Sequence, residues 1–254
     1  MLVSRLFVDN PLRNFHYLVA CPETGEALAV DPLEVDAVLA DASARGWTIT
    51  QIVCTHDHWD HAGGREKMKA ATGAKVLAHA QSPLDGIDVG LRHGDEVRVG
   101  RTVSLRALDT PGHTMSHICL MGGGHLFAGD TLFVGGCGNC RHGGHPESLW
   151  RTFRDIIYGL PDGLVVDAGH DYAINNFKFS LDREPGNPAA AAGLLEAEAL
   201  AARGAQLEST IASERAWNPF FRLGSELIRD RLDMSAAEAD EAVFLALRER
   251  RNHW

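Results

Sequence analysis

Thr55-His56-Asp57-His58-Trp59-Asp60-His61 follows directly on the apolar run Ile52-Val53-Cys54. Three histidines and two aspartates therefore stand together where a buried strand should end and a helix begin. In an extended segment side chains at i and i+2 point to the same side, so His56 and His58 converge on one point. Asp60 and His61, at the turn into the helix, face a second point close by. Imidazoles and a carboxylate packed beside a buried strand carry a desolvation cost that a dication removes. One short segment can thus feed two metal ions. The competing reading, a solvated polar loop, does not explain that density of donors after an apolar run.

Working outward, three more places repeat a lone His or Asp beside glycine after an apolar run. They are Asp109-Thr110-Pro111-Gly112-His113-Thr114, Leu126-Phe127-Ala128-Gly129-Asp130-Thr131 and Val165-Val166-Asp167-Ala168-Gly169-His170-Asp171. Each alone would be weak, since a lone histidine after a strand is more often structural. Together they place His113, Asp130 and His170 at strand ends, where donors can gather on one sheet edge.

The chain around these motifs has two textures. Up to residue 186, short apolar runs at 27–30, 49–54, 75–79, 97–99, 103–108, 117–121 and 164–167 read as strands. Helical spacing appears over 35–45, stopped by Gly46, over 62–72, stopped by Gly73, and over 147–158, stopped by Gly159. After Pro185-Gly186-Asn187-Pro188 the composition turns helical: an Ala/Leu/Glu-rich stretch over 188–203, a break at Asn218-Pro219, then helices expected over 221–232 and 235–250. Ser235 and Glu238 are spaced as a capping box for the last one. This order predicts an α+β architecture with a catalytic part, 1–186, and a mainly helical part, 187–254.

Composition narrows the function. The net charge of −10 over 254 residues argues against nucleic acid or an anionic membrane as partner. No apolar run approaches the roughly 18 residues of a membrane helix, and Asp9, Asn10 and Pro11 interrupt any leader-like stretch, so a cytoplasmic protein is expected. Five cysteines, an odd number, fit a reducing compartment better than a disulfide framework. Thirteen histidines are the one unusual entry in the composition.

His56-x-His58-x-Asp60-His61, then His113, Asp130 and His170 in that order, resemble the metallo-β-lactamase superfamily pattern. The resemblance implies an αββα sandwich, two face-to-face sheets with helices outside. Within it the chain is similar to the glyoxalase II, or hydroxyacylglutathione hydrolase, family. Four segments carry this: Gly129-Asp130-Thr131-Leu132-Phe133-Val134-Gly135-Gly136-Cys137-Gly138, Gly169 to Phe179, Glu214-Arg215-x-x-Asn218-Pro219-Phe220-Phe221-Arg222, and Arg248-x-x-Arg251. The resemblance implies two divalent ions, zinc first with iron or manganese as alternatives. His56, His58 and His113 would hold one, Asp60, His61 and His170 the other, with Asp130 bridging. Asp60 and Asp130 are then also the catalytic carboxylates. The implied reaction is hydrolysis of S-D-lactoylglutathione by a metal-bridging hydroxide, in a monomer or weak dimer. Arg248 and Arg251 would clamp a glutathione carboxylate and Tyr172 would bond its backbone. The chain departs from the family after Gly138: Asn139 stands where a Lys is usual and Arg141 where a Tyr is usual. Alternatives left open are another hydrolase of this fold (lactonase, β-lactamase or general thioesterase), a mono-iron persulfide dioxygenase, and a non-catalytic binding module.

Other residues have plainer readings. Cys137-x-x-Cys140 has no second pair to complete a structural zinc site, His142 and His145 read as a solvated loop, and His79 and His117 as strand braces. Gly122-Gly123-Gly124 reads as a hairpin turn, and Trp150, Trp217, Phe220 and Phe221 as core anchors.

Overall fold

Strands β1 (Leu2–Phe7), β2 (Phe15–Ala20), β3 (Glu26–Val30), β4 (Thr48–Val53), β5 (Lys75–His79) and β6 (Val89–Leu91) lie in that order in one sheet of the computed structural model, which describes residues 1–254. The first two pairings are antiparallel and the last three parallel. Helix α1 (Val35–Arg45) makes the crossover from β3 to β4, and α2 (Trp59–Ala62) and α3 (Arg65–Thr72) the crossover from β4 to β5. A second sheet, antiparallel throughout, holds β7 (Glu96–Val99), β8 (Val103–Asp109), β9 (Ile118–Gly122) and β10 (His125–Gly129). These elements belong to the first of two compact units, residues 1–110 with 116–129.

Sheet faces explain how this unit is held. Tyr17, Val19, Leu28, Val53 and Leu77 from the first sheet and Val97, Leu105, Ile118, Leu120 and Phe127 from the second form one buried cluster. Each fully buried side chain of this size contributes roughly 1.5–3 kcal/mol. The other face of the first sheet is covered by α1 and α3 through Val35, Val38, Ala42 and Met68. Strand β2 is buried at every position, so its sequence shows no alternation and reads poorly as a strand. Near the parallel strand ends Val30 pairs with Val53, and the Asp31 amide donates to the Val53 carbonyl at 2.9 Å. The segments that leave β3 and β4 are therefore neighbours.

The second unit comprises 111–115 and 130–254. It contains a short hairpin, β11 (Leu132–Phe133) with β12 (Gly136–Cys137), helix α4 (Pro146–Asp155), strand β13 (Val165–Ala168), helices α5 (Ala173–Arg183) and α6 (Pro188–Ala201), strand β14 (Ser209–Thr210) paired antiparallel with β13, and helices α7 (Ile211–Trp217), α8 (Glu226–Asp230) and α9 (Asp240–Asn252). Phe244 of α9 lies 5.1–5.5 Å, centroid to centroid, from Phe153, Phe220 and Trp150. Each such aromatic pair adds about 0.5–1.5 kcal/mol beyond burial and anchors α9. Trp217 packs edge-on to Phe177 at 5.1 Å.

Several sequence expectations are corrected. The helix expected over 62–72 is two helices, 59–62 and 65–72, parted at Gly63-Gly64, where a Cβ at Gly64 would stand 1.9 Å from the Pro32 carbonyl oxygen. The helix expected over 147–158 ends at Asp155, and a 3-10 turn follows over Ile157–Gly159. The stretch 221–232 yields only a 3-10 turn at Pro219–Phe221 and the short α8. Ser235 and Glu238 do bond each other, but the last helix starts at Asp240, with Ala239 as its N-cap residue. Helices α5 and α7 were not expected. No helix is long and apolar enough to cross a membrane.

Candidate metal centre and substrate cleft

In the first unit the donors sit where the register of β3 and β4 puts them. His56 Nε2 and His58 Nδ1 stand 3.2 Å apart, and His61 Nε2 stands 3.3 Å from Asp60 Oδ2. The far sides of the rings are held. Asp31 is buried, with a left-handed backbone φ of 49°. Its Oδ1 accepts the Thr55 amide at 2.7 Å, and its Oδ2 accepts the Thr55 hydroxyl at 2.7 Å. The same Oδ2 lies 2.9 Å from His61 Nδ1. Because the Thr55 hydroxyl gives its proton to Asp31, it accepts from His56 Nδ1 at 3.0 Å. One carboxylate thus leaves Nε2 of both His56 and His61 as the atom that carries the lone pair. Asn14 Nδ2 donates to Asp60 Oδ2 at 3.1 Å and fixes that carboxylate.

In the second unit His113 Nε2 and His170 Nε2 each lie 3.3 Å from Asp130 Oδ2. His113 Nδ1 lies 2.6 Å from the Asn139 carbonyl oxygen, so it donates there and Nε2 faces Asp130. Tyr172 stacks on His170 at 4.9 Å with the ring planes 6° apart, and Phe133 closes edge-on against both rings. Each unit therefore presents imidazole nitrogens and carboxylate oxygens convergent within hydrogen-bond range, with the opposite ring nitrogens of His56, His61 and His113 tied back. That donor set of neutral nitrogen and anionic oxygen fits a divalent ion of the zinc, iron or manganese type.

The second unit also contains a cleft of about 270 Å³. Asn139, Arg141, Tyr172, Arg248 and Arg251, the residues the sequence resemblance marked for substrate, all line it. Asn176 and Trp254, which sequence reading passed over, line it too. Arg251 Nη2 donates to Asn176 Oδ1 at 3.1 Å, and Arg141 donates to the Asn252 carbonyl, tying the divergent loop to α9. Burial and the neighbouring Arg248 charge pull the Arg251 guanidinium below its ordinary range. Burial raises the Cys137 thiol, and burial together with Cys137 pushes Cys140 up to about 12. Both stay protonated at neutral pH, which does not suit thiolate chemistry.

His79 Nε2 pairs with Asp109 at 3.1 Å and the Thr110 hydroxyl meets His117 Nδ1 at 2.9 Å, so both histidines brace strand ends as expected. His142 lines the cleft, whereas His145 pairs with Glu147 at 2.7 Å. Sequence reading missed Asp31, Asn14 and the Asn139 carbonyl. Asp31 had a usable signal: like Asp130, it follows an apolar run, Ala27 to Val30.

Comparison with known proteins agrees with this geometry. Residues 17–170 match the family described as the metallo-beta-lactamase superfamily, and residues 171–254 match the hydroxyacylglutathione hydrolase C-terminus. The chain is 48% identical to a hydroxyacylglutathione hydrolase of Nitrosococcus oceani and 46% identical to one of a Polaromonas species, in each case over the full length of both chains. Among solved structures it resembles ETHE1 from Myxococcus xanthus, with a TM-score of 0.74 and 27% identity, covering 99% of this chain and 92% of that one. It shares its fold with a metallo-beta-lactamase from Staphylococcus aureus, at a TM-score of 0.68 and 24% identity, covering 96% of this chain and 65% of that one. The match to the metallo-beta-lactamase superfamily, together with the His/Asp donors, implies divalent metal binding.

Proposed function

The chain belongs to the hydroxyacylglutathione hydrolases of the metallo-β-lactamase superfamily, and from that membership we propose that it hydrolyses S-(2-hydroxyacyl)glutathione, S-D-lactoylglutathione above all, to glutathione and a 2-hydroxy acid. The observation that carries the reading is Tyr172. Its ring stacks on His170, one of the donors around Asp130, and the same residue lines the arginine-rich cleft. Donors for metal and cations for a peptide carboxylate therefore meet at one side chain.

We assign His56, His58 and His113 to one ion, Asp60, His61 and His170 to the second, and Asp130 to both. When bound, two such ions, zinc first with iron and manganese compatible, supply an activated water and a Lewis acid for the thioester carbonyl. The protein's part is to hold these donors. Asp31 and Thr55 fix the tautomers of His61 and His56, and the Asn139 carbonyl fixes that of His113. Asp60 and Asp130 are the carboxylates that face the reaction. In the cleft Arg141 and Arg251 supply charge for the carboxylates of the tripeptide, Tyr172 and the Asn139 side chain supply hydrogen bonds, and Arg248 adds its guanidinium from α9. The functional division we assign is a catalytic part, 1–186, and a helical substrate-binding part, 187–254, in a cytoplasmic monomer or weak dimer with no nucleic-acid or membrane partner.

The test is kcat/KM for S-D-lactoylglutathione beside non-glutathione thioesters, lactones and β-lactams, on protein of measured metal content. The expected result is two ions per chain and a preference for the glutathione thioester. Equal turnover of lactones or β-lactams, or a single iron with oxygen uptake, would overturn it.

A further inference from the structure

Arg248 lines the cleft where a carboxylate clamp is expected, yet the residue is only 4% exposed and both its terminal nitrogens already donate to protein acceptors. Its Nη1 donates to the carbonyl oxygens of Cys137 at 2.8 Å and Gly138 at 3.1 Å, and its Nη2 to Asn252 Oδ1 at 3.3 Å. The next carbonyl along the chain, that of Asn139, accepts from His113 Nδ1 at 2.6 Å. Between them Gly138 leaves no slack: a Cβ there would stand 2.0 Å from the Asp130 carbonyl oxygen and 2.9 Å from His113 Nδ1. Residues 137–139 thus form a strap. Arg248 grips two of its carbonyls, and the third grips a ring that faces Asp130.

A planar guanidinium suits this grip because one nitrogen can serve two successive carbonyl oxygens while the rest of the fork stays in plane. Without it, two buried carbonyls would lose a charged donor and the strap could rotate, carrying the Asn139 oxygen away from His113. The His113 ring would then be free to turn or change tautomer. Partners that orient a ligand in this way typically change metal affinity by about 10–100-fold.

We propose that Arg248 is a positioning residue for the metal centre: acting through the Cys137–Asn139 strap, it fixes His113 so that Nε2 faces Asp130. Helix α9 then sets metal retention as well as substrate affinity. The inference rests on His113 being a metal ligand, as assigned above. Arg251 is the internal comparison. It lines the same cleft three residues along the same helix, but its hydrogen bond goes to Asn176, not to the strap.

The experiment compares full-length, zinc-loaded wild type with Arg248→Met, Arg248→Lys and Arg251→Met, reading zinc retention against a chelator and, separately, kcat and KM for S-D-lactoylglutathione. Both Arg248 variants are expected to lose zinc about 10–100-fold more readily and to lose kcat. Lysine fails to rescue because its single ammonium cannot serve both strap carbonyls and Asn252 at once, as the two guanidinium nitrogens do. Arg251→Met is expected to raise KM roughly tenfold, the scale of one charge-assisted hydrogen bond, with zinc retention unchanged. If Arg248→Met changes only KM, or if Arg248→Lys holds zinc as wild type does, the strap has no positioning role. Far-UV circular dichroism of the metal-free variants checks folding, and Arg248→Lys carries the test if the methionine variant does not fold. Zinc retention is read without substrate, so the result stands even if wild type hydrolyses no glutathione thioester.

Discussion

His56, His58, Asp60 and His61 leave one strand end within a single turn of chain, and a buried side chain, Asp31, orients two of them through bonds of 2.7–3.0 Å. In the second unit His113, Asp130 and His170 come from three separate segments, and His113 is held by a main-chain carbonyl. A contiguous set of donors can be oriented locally, because the β3–β4 register already brings Asp31 beside Thr55. A dispersed set depends on packing brought from far along the chain, here the aromatic cluster under α9 and a polar knot around Glu214. Glu214 is fully buried, and its carboxylate accepts from the Gly135 amide at 3.0 Å, Asn218 Nδ2 at 2.8 Å and Trp217 Nε1 at 3.0 Å.

The largest expected effect breaks the local half. His58→Ala should remove metal and activity together, a greater loss than the about 10–100-fold of an outer partner; metal analysis beside a turnover assay checks it, and full activity with full metal would refute the assignment. Asp31→Ala should come next. Metal affinity should fall about 10–100-fold because two imidazoles lose their orienting group, and chelator competition reads it. Unchanged affinity would mean that the loop holds its own geometry. Glu214→Gln probes the distant half through pH. Burial pushes the Glu214 carboxyl up to about 7 from an ordinary 4.5, against the hydrogen bonds that favour its charge. The folded chain therefore holds that proton more tightly than the unfolded one. The contribution is complete below about pH 4.5 and is lost as pH rises toward about 7, by at most about 3 kcal/mol. Denaturant melts from pH 4.5 to 7 should show that slope in wild type and a flatter one in Glu214→Gln; identical slopes would exclude Glu214. The smallest effect is the control: Leu195 is 69% exposed on α6, and Leu195→Lys should shift stability by no more than about 0.5 kcal/mol.

The same contrast decides what the sequence could tell. The seven residues could be singled out because four stand in one loop-to-helix segment after β4 and three stand just after β8, β10 and β13, and each carries its chemistry in a side chain. Strands β3, β4, β5 and β8 were legible from their apolar, β-branched runs, whereas β2, buried on both faces, had no alternation to see. The Gly63-Gly64 pair that parts α2 from α3 stands in the sequence, whereas the close approach of the Pro32 carbonyl to Gly64 joins residues distant in sequence and close in space. Asp31 escaped notice although it shares the signature of Asp130, because no glycine or second donor stands beside it. The Asn139 carbonyl could not have been found by residue type at all, since every residue has one. The cleft residues came from family resemblance, and their convergence needed α9 in place.

That hold on His113 by main-chain atoms has a consequence for how such a protein can change. A carbonyl performs its task whatever side chain hangs from the same residue. Exchanges at 139–141 therefore keep the hydrogen bond that orients His113 as long as Gly138 stays small and the new side chains hold the turn, which the Arg141 amide to Asn139 Oδ1 bond and the Arg141 bond to the Asn252 carbonyl hold here. The wall of the cleft is free to drift toward new thioesters while the chemistry beneath it is inherited intact.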